Sequence, residues 1–212
     1  MGAPELFHLD QQLFGTAAPG VKADVANLSG DYTYLTDGYY LSLDAEQGGL
    51  NVLPTTAEAL DAYVVAIAME KARMAGIPVP EHQIITDRFP APPLMAYPIN
   101  PFTLTGELLL DAAAIEARRK GLTYTGKYAV LVQPLPADYR VDMLRLVLGR
   151  SLVPQYEEFG AALFELFRLP LMRVRVIVTP KEYMLSAIEP LPFGQLSQEE
   201  RALLEGMGRW RA

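Results

Sequence analysis

Polar and aromatic side chains gather where a short apolar run ends and a helical pattern begins. The chain reads Val-Ala-Asn-Leu-Ser-Gly-Asp-Tyr-Thr-Tyr from Val25 to Tyr34. A packed core does not require these residue types at one junction, whereas loops that leave a strand are where ligand sites are usually built. A helix N-terminus also presents N–H groups and a positive dipole end to an anion. The predicted ligand-binding residues here are Asn27, Ser29, Tyr32, Tyr34, Tyr39 and Tyr40.

Each residue type at this junction suits a small, flat or charged ligand. Asn27 and Ser29 add hydrogen-bond donors, the tyrosines offer rings for stacking, and Asp31 can position a cation or an amine. A local turn that caps the helix, with tyrosines at the rim of the core, accounts for the same residues. Both interpretations stay open at this point.

A second junction contains an arginine. Gly149-Arg150-Ser151 lies between a predicted strand and a predicted helix, where the guanidinium can be aimed at a carboxylate or phosphate. The alternative is a surface ion pair with Glu157 or Glu158. Because turns that follow strands gather at one edge of an open sheet, we predict that Arg150 converges with Asn27, Ser29 and Tyr32 on one crevice.

Composition excludes several classes of site. The chain has 212 residues, a formal net charge of -7 and a pI of about 4.9, which argues against duplex nucleic acid as a partner. The absence of cysteine removes disulfides and thiolate chemistry, and two histidines, His8 and His82, make a histidine metal site or triad improbable. We therefore predict no metal site, and the sequence names no cofactor.

Two further sequence patterns concern the cellular compartment of the protein. No apolar run approaches the roughly 20 residues needed to cross a bilayer. The N-terminal residues Met1–Glu5 lack the basic and apolar regions of a signal peptide. We expect a cytoplasmic protein.

The hydrophobic pattern of the first third predicts strands alternating with helices. Strands are expected over 22–28 and 51–53, and helices over 38–47 and from Thr55 to Gly76. Thr55 and Glu58 have the spacing of a capping box, which fixes the beginning of the second helix.

A proline-rich segment follows, over residues 77–105. We predict an extended connector with one short strand at 83–86, and a surface-exposed course for Pro90–Pro101, because proline has no N–H for a sheet ladder. A helix is predicted over 107–120.

The last part of the chain is richer in β-branched residues. Strands are predicted over 127–133 and 141–148, a helix over 153–168, a hairpin over 171–189, and a last helix from Ser197 to near Trp210. Ser197 and Glu200 have the spacing of a second capping box, which begins that helix. The fold class is α+β, a mixed sheet with flanking helices. We predict a single domain over 1–212, with an N-terminal lobe at 22–76, the connector at 77–105 and a meander-rich C-terminal lobe at 106–212.

Both junctions lie in blocks that resemble the RimK-like ATP-grasp N-terminal domain family. The first block runs from Asn27-Leu28-Ser29 through Tyr32-Thr33-Tyr34 and Gly38–Glu46 to Leu53-Pro54. The second runs from Leu148–Leu152 through Leu169–Val174 to Ile188-Glu189-Pro190. The blocks occur in family order, and together with the helix between them they cover most of residues 22–192.

The resemblance implies an α+β domain that is normally fused ahead of an ATP-grasp carboxylate–amine ligase module. The chain is too short to hold that module as well, and it has no glycine-rich phosphate loop or Mg-binding acidic signature. We therefore expect either a stand-alone member that acts with a separately encoded ATP-grasp ligase or a domain that has been put to another use.

Three functions remain open. The leading hypothesis is a non-catalytic accessory, or a protein that binds a small anionic or amino-acid-like ligand, linked to ATP-dependent ligation. The second is an enzyme acting on an amino-acid or peptide-like substrate, with Asp31, Glu46 or a tyrosine as the general acid or base. The third is a structural or interaction protein, with homo-oligomer formation also open.

Overall fold

The computed structural model describes residues 13–16, 23–100, 103–207 and 210–211. The strands are β1 (Leu13–Thr16), β2 (Val25–Asn27), β3 (Val52–Leu53), β4 (Gln83–Ile85), β5 (Leu94–Pro98), β6 (Glu107–Leu109), β7 (Val130–Pro134), β8 (Arg140–Val147), β9 (Leu171–Val178), β10 (Tyr183–Glu189) and β11 (Trp210–Arg211). The α-helices are α1 (Asp37–Gln47), α2 (Thr56–Tyr63), α3 (Val65–Met74), α4 (Ala112–Leu122), α5 (Glu157–Phe167) and α6 (Gln198–Gly206). Short 3₁₀ turns lie at Pro154–Tyr156 and Phe193–Gln195.

The chain divides into two compact units built from interleaved segments. The first takes up the chain to Leu60, residues 144–173 and the chain from Pro190, and the second takes up Asp61–Met143 and Val174–Glu189. The organisation as one domain with lobes at 22–76, 77–105 and 106–212 stays a prediction.

The sheet of the first unit is mixed, as the sequence predicts. Its order is β11-β1-β2-β3, with β1 antiparallel to β2 and β2 parallel to β3. A buried cluster in this unit includes Leu28 and Leu148, each of which directly follows a strand. The α+β fold class is confirmed.

Close backbone contacts fix the loop after β2 in the first unit. The N–H of Leu191 donates to the Gly30 carbonyl at 2.8 Å, and the N–H of Phe193 donates to the Ser29 carbonyl at 3.0 Å. Gly30 has a φ of +74°, and a Cβ built on it would lie 1.9 Å from the Leu191 carbonyl oxygen. Only glycine satisfies both the dihedral angle and the approach.

The sheet of the second unit has the order β4-β7-β5-β6, and the pairings are antiparallel. Its apolar cluster combines side chains of β5 and β7 with Leu122 of α4. A further sheet has the order β10-β9-β8, in which β9 and β10 are neighbours, as predicted for the hairpin. Within that hairpin, Arg175 and Glu189 form an ion pair at 2.6 Å.

A polar network lies inside the second unit. The Ser186 hydroxyl donates to Gln133 Oε1 at 2.6 Å, and Gln133 Nε2 donates to the Ser186 carbonyl at 2.9 Å. The Tyr97 hydroxyl and the Ser186 hydroxyl are 2.6 Å apart. Tyr97 is buried, and this burial raises the pKa of its phenol. The three side chains satisfy one another in a site without solvent.

The prediction for Pro90–Pro101 is wrong. Leu94, Met95 and Ala96 pair with β6 on one side and with β7 on the other, and β5 is buried along its length. The prolines flank the run instead of interrupting it: Leu94–Tyr97 keep their N–H groups, and Pro98 occupies the strand end. The N–H groups of the strand itself supply the hydrogen bonds of the sheet, so the prolines on either side do not prevent it from pairing.

Three helix boundaries also differ from prediction. Residues 107–109 form β6, and the helix begins only after Asp111, whose carboxylate accepts from the N–H of Ala114 at 2.7 Å. The helix predicted over 55–76 is two helices separated at Val64. The last helix ends at Gly206. The capping box of Thr55 and Glu58 is confirmed.

The second predicted capping box contains an ion pair as well. Glu200 is buried, and its carboxylate accepts from Arg145 Nε at 2.6 Å and Nη2 at 2.7 Å. It also accepts from the N–H of Ser197 at 2.8 Å, while the Ser197 hydroxyl accepts from the Glu200 N–H at 3.1 Å. Hydrogen bonding to Arg145 is the largest cause that lowers the pKa of the Glu200 carboxyl.

Glu200→Gln is expected to lower the free energy of unfolding by about 1–3 kcal/mol at pH 7. Glutamine retains the capping contact with Ser197 but loses the charge that faces Arg145. Because the folded pKa is depressed, the stabilisation is present above the unfolded value of about 4.3 and is lost as pH falls through the folded value. Urea unfolding at pH 7 and pH 3 measures it.

Glu205→Gln, an exposed change on the same helix, is the control for that experiment. It removes the same charge and is expected to change stability by less than about 0.5 kcal/mol. If Glu200→Gln lowers the free energy of unfolding by the same amount at pH 7 and at pH 3, the ion pair with Arg145 is not the cause.

Gly30→Ala and Gly49→Ala separate steric overlap from backbone strain. Both glycines have positive φ, so each alanine carries about 1–2 kcal/mol of left-handed strain. Only Gly30 faces an obstacle, since nothing lies within 4 Å of a Cβ at Gly49. Thermal and urea melts are expected to show a loss at Gly30 at least twice that at Gly49. Equal losses would mean that the approach to Leu191 relaxes freely.

Candidate functional site

The side chain of Asn27 joins the end of β2 to the beginning of α1. Its Nδ2 donates to the Gly38 carbonyl at 2.7 Å and to the Ser42 hydroxyl at 3.0 Å. Its Oδ1 accepts from the N–H of Ser29 at 3.1 Å. Asn27 is fully buried, so its amide is satisfied inside the protein. We call this set of bonds the Asn27 clasp.

The loop between the two elements is a capped turn. The Asp31 carboxylate accepts from the N–H of Thr33 at 3.1 Å and from its hydroxyl at 2.6 Å. Thr36 is the N-cap of α1, and its hydroxyl accepts from the N–H of Tyr39 at 3.4 Å. The same hydroxyl donates to the Thr33 carbonyl at 2.7 Å. This arrangement has the features of the local-turn interpretation.

Gly38 lets the helix approach this loop closely. A Cβ at this position would lie 2.1 Å from the Asp31 carbonyl oxygen and 2.2 Å from the Ser29 hydroxyl. The Ser29 hydroxyl is buried and has no hydrogen-bond partner among the described residues. Its place in the predicted ligand site stays a prediction.

Tyr32 is held inside the first unit. It is 1% exposed, and its hydroxyl donates to the Asn27 carbonyl at 2.8 Å. Burial raises the pKa of its phenol well above the ordinary value, so the ring stays neutral at physiological pH. Asn27 and Tyr32 therefore hold the junction together, and neither presents its side chain to solvent.

The other three tyrosines lie at the surface and contact one another. The Tyr34 and Tyr39 rings are 5.3 Å apart and the Tyr39 and Tyr40 rings 6.1 Å apart, both edge to face. Tyr34 is 48% exposed and Tyr40 45%. Leu35, between them in sequence, is 58% exposed and has a φ of +68°. We call Tyr34, Leu35, Tyr39 and Tyr40 the tyrosine patch.

Sequence reasoning missed Leu35. A leucine in the left-handed region costs about 1–2 kcal/mol, and this strain is carried by an exposed apolar residue. The one signal available was an isolated leucine in a loop otherwise made of polar and aromatic residues.

The electrostatics of the helix start favour apolar contact over anion binding. Asp37 lies in the first turn of α1 and already supplies a negative charge to the positive end of the helix dipole. The N–H of Tyr39 is bound to the Thr36 hydroxyl. A patch of rings beside this carboxylate is suited to a partner surface or to a flat ligand.

Arg150 is exposed and forms an ion pair with Glu157 through its Nε, which is the surface pairing considered as the alternative. Its backbone closes a tight turn by exchanging hydrogen bonds with Val147, at 2.9 and 3.0 Å. The Ser151 hydroxyl accepts from the N–H of Val153 at 3.0 Å. Convergence of Arg150 with the first junction on one crevice stays a prediction.

Two structural features are absent from the part of the chain that the structure describes. Over 13–16, 23–100, 103–207 and 210–211, no cluster of three or more carboxylates or histidines is placed to hold a metal ion. In that same part of the chain, none of the helices combines the length and apolarity that crossing a bilayer requires.

The fold is similar to those of several solved ATP-grasp structures. A RimK domain ATP-grasp protein from Sphaerobacter thermophilus matches with a TM-score of 0.57 at 18% identity, over 81% of this chain and 74% of that one. D-alanine–D-alanine ligase from Bacillus anthracis complexed with ATP matches with a TM-score of 0.57 at 11% identity, over 78% and 69%. At these identities the likeness shows the fold alone.

A third structure is the ATP-grasp ligase PsnB complexed with minimal precursor, Mg and ADP. It matches with a TM-score of 0.53 at 14% identity, over 80% of this chain and 66% of that one. A search of the curated proteins finds no match.

The family comparison covers both junctions. The model of the RimK-like ATPgrasp N-terminal domain matches residues 12–75 and 127–207, so it includes the Asn27 clasp, the tyrosine patch and Arg150. The unmatched residues between these ranges hold β4, β5, β6 and α4. Since the match covers more than half of the chain, the protein belongs to the RimK-like ATPgrasp N-terminal domain family.

Proposed function

We propose that the protein is a non-catalytic accessory of ATP-dependent carboxylate–amine ligation that binds a separately encoded ATP-grasp ligase. The tyrosine patch is the proposed contact surface. Family membership supports the link to ligation, because the matched family is described as the N-terminal domain of RimK-like ATP-grasp proteins. In this proposal the ATP-grasp module is a separate protein, which this domain binds through an exposed surface.

The observation that carries the proposal is the exposure of the patch. Tyr34, Leu35 and Tyr40 are each about half exposed, and they lie on a helix start that the Asn27 clasp and the Thr36 cap hold in place. Tyrosine supplies a large apolar contact area with little loss of side-chain entropy, which is why it is enriched at binding hot spots. A rigid aromatic patch therefore favours recognition of a partner.

The candidate acid–base groups support a non-catalytic role. The Asp31 carboxylate accepts two hydrogen bonds from Thr33, and the Glu46 carboxylate accepts from the N–H of Thr56 at 3.1 Å. Tyr32 is buried and its raised pKa disfavours proton transfer at neutral pH. Each of these side chains is thus engaged in the local structure.

The neighbours' ligands support the choice of reaction class. The Bacillus anthracis ligase is complexed with ATP, and PsnB with a minimal precursor, Mg and ADP. For this chain we propose that the ligase partner binds the nucleotide and that the accessory contributes a binding surface.

The proposal is tested with the ATP-grasp protein encoded nearest to this gene. The double variant Tyr34→Ala/Tyr40→Ala is expected to bind it about 10- to 100-fold more weakly by calorimetry, because hot-spot aromatics contribute about 2 kcal/mol or more. Tyr124→Ala removes an equally exposed tyrosine from the second unit and is the control, expected to bind normally.

The same proteins are mixed with Mg-ATP and the twenty amino acids, and phosphate release is followed. We expect phosphate release only when the ligase is present. The accessory should change the rate of phosphate release less when it carries the double variant. Phosphate release by this chain alone would identify it as an enzyme and contradict the proposal.

Two variants distinguish the effect of the Arg150 charge from the effect of its ion pair with Glu157. Arg150→Ala is expected to change the free energy of unfolding by about 0–1 kcal/mol, since the pair with Glu157 is exposed. If Arg150 contacts a desolvated anionic group of the ligand or partner, this variant loses on the order of 2–5 kcal/mol of binding energy. Glu157→Gln breaks the same pair but keeps the cation, and its binding should be unchanged. If Arg150→Ala and Glu157→Gln lose binding energy equally, the ion pair serves the structure of the turn and the Arg150 charge does not contact the ligand or partner.

A further inference from the structure

A cleft of 750 Å³ lies in the second unit, apart from the tyrosine patch. Three loops form it: the connector from α3 to β4, the loop from β7 to β8, and the turn of the β9–β10 hairpin. Its volume is in the range of sites that hold drug-sized ligands or short peptides. No residue of the tyrosine patch lines it, and neither Asn27 nor Arg150 does.

The floor and the rim of the cleft differ in chemistry. Pro80, Leu135 and Met184 line it and are buried, which gives an apolar floor. Glu81, Asp138, Lys181 and Glu182 line it and are exposed, which gives a charged rim. Three carboxylates therefore face one ammonium group. We call this site the acidic cleft.

The rim charges are available for a ligand. Within the part of the chain that the structure describes, Glu81, Asp138 and Glu182 form no ion pair and no side-chain hydrogen bond. Their net negative potential attracts cations and repels phosphates and carboxylates.

Besides the Lys181 ammonium, few free hydrogen-bond donors line the cleft, since the N–H groups of Leu135, Lys181 and Glu182 already donate within the protein. Four of its residues are prolines, which have no N–H but keep a carbonyl acceptor: Pro80, Pro134, Pro136 and Pro180. A neighbouring donor is already used, since the N–H of Leu185 donates to the Pro78 carbonyl at 2.9 Å. A lining of carbonyls and carboxylates recognises a ligand that brings its own donors.

Lysine and arginine side chains combine the two required properties. Their aliphatic stems pack on apolar surface, while their heads carry several N–H donors and a positive charge. We propose that the acidic cleft binds a peptide segment that presents a lysine or arginine beside apolar or proline residues. The stem lies on Leu135 and Met184, and the head meets the carboxylates of the rim.

The test uses a displayed library of random dodecapeptides, selected on the full chain at 150 mM NaCl. We expect enrichment of sequences with lysine or arginine beside apolar residues or proline. The most enriched peptide is then synthesised and titrated, and the backbone amide signals of the non-proline residues in 79–81, 135–138 and 179–184 are expected to shift. No enrichment, enrichment of acidic sequences, or shifts confined to other residues would overturn the proposal.

A variant of the rim identifies the charges responsible. Glu81→Gln/Asp138→Asn/Glu182→Gln is expected to bind the peptide at least tenfold more weakly. Asparagine suits position 138 because this residue has a φ of +57°, a region that asparagine tolerates. The control Asp44→Asn/Glu165→Gln/Glu205→Gln changes the net charge equally at exposed positions outside the cleft and should bind normally. Equal weakening in both triples would mean attraction by net charge alone.

Another variant adds a positive charge to the cleft and keeps its three carboxylates. Ala137 is exposed and lines the cleft, so Ala137→Lys places a cation there without disturbing the core. It is expected to weaken peptide binding at least tenfold while the melting temperature stays the same. Competition by Mg-ATP at the same amides, or unchanged binding by Ala137→Lys, would contradict a cationic occupant.

Discussion

One buried amide determines the geometry of the predicted ligand junction. Asn27 ends β2, and its side chain has no access to water, so its donors and acceptor must be satisfied by the protein. They are satisfied by a carbonyl and a hydroxyl of α1 and by an N–H of the following loop. Asn27 therefore connects strand, loop and helix directly, and the position of the tyrosine patch depends on that connection.

The sequence predicted elements well where local signals and tertiary pairing agree. Helix α1, the β9–β10 hairpin and the capping boxes follow from turn chemistry and periodicity within about ten residues. The strand β5 was missed because the flanking prolines dominate the local pattern, whereas its status depends on two partners, one of which lies more than thirty residues away. The helix predicted over 107–120 begins later than expected, at Ala112, because residues 107–109 form β6 and pair with β5.

The two proposed surfaces differ in how much of each the residue types in the sequence could indicate. The tyrosines of the patch are neighbours in sequence, and their types alone indicated a binding surface, although burial assigns Tyr32 and Asn27 to its support. The acidic cleft combines three loops that are separated by forty or more residues, and each loop taken alone is an ordinary turn. The β4–β7 pairing and the hydrogen bond from the Leu185 N–H to the Pro78 carbonyl help to bring these loops together, and neither can be read from one segment of the sequence.

The bonds among Gln133, Ser186 and Tyr97 also limit which misfolded states the second unit can adopt. A strand that slips by one residue turns its side chains to the opposite face of the sheet. A slip of β5 or β7 would therefore leave hydroxyl and amide groups in an apolar interior without partners, at a cost of about 1–3 kcal/mol for each group. The runs around them, Leu-Met-Ala-Tyr and Val-Leu-Val-Gln, are otherwise uniformly apolar and would tolerate several alignments. The three polar side chains thus encode the alignment of strands that hydrophobicity alone leaves ambiguous.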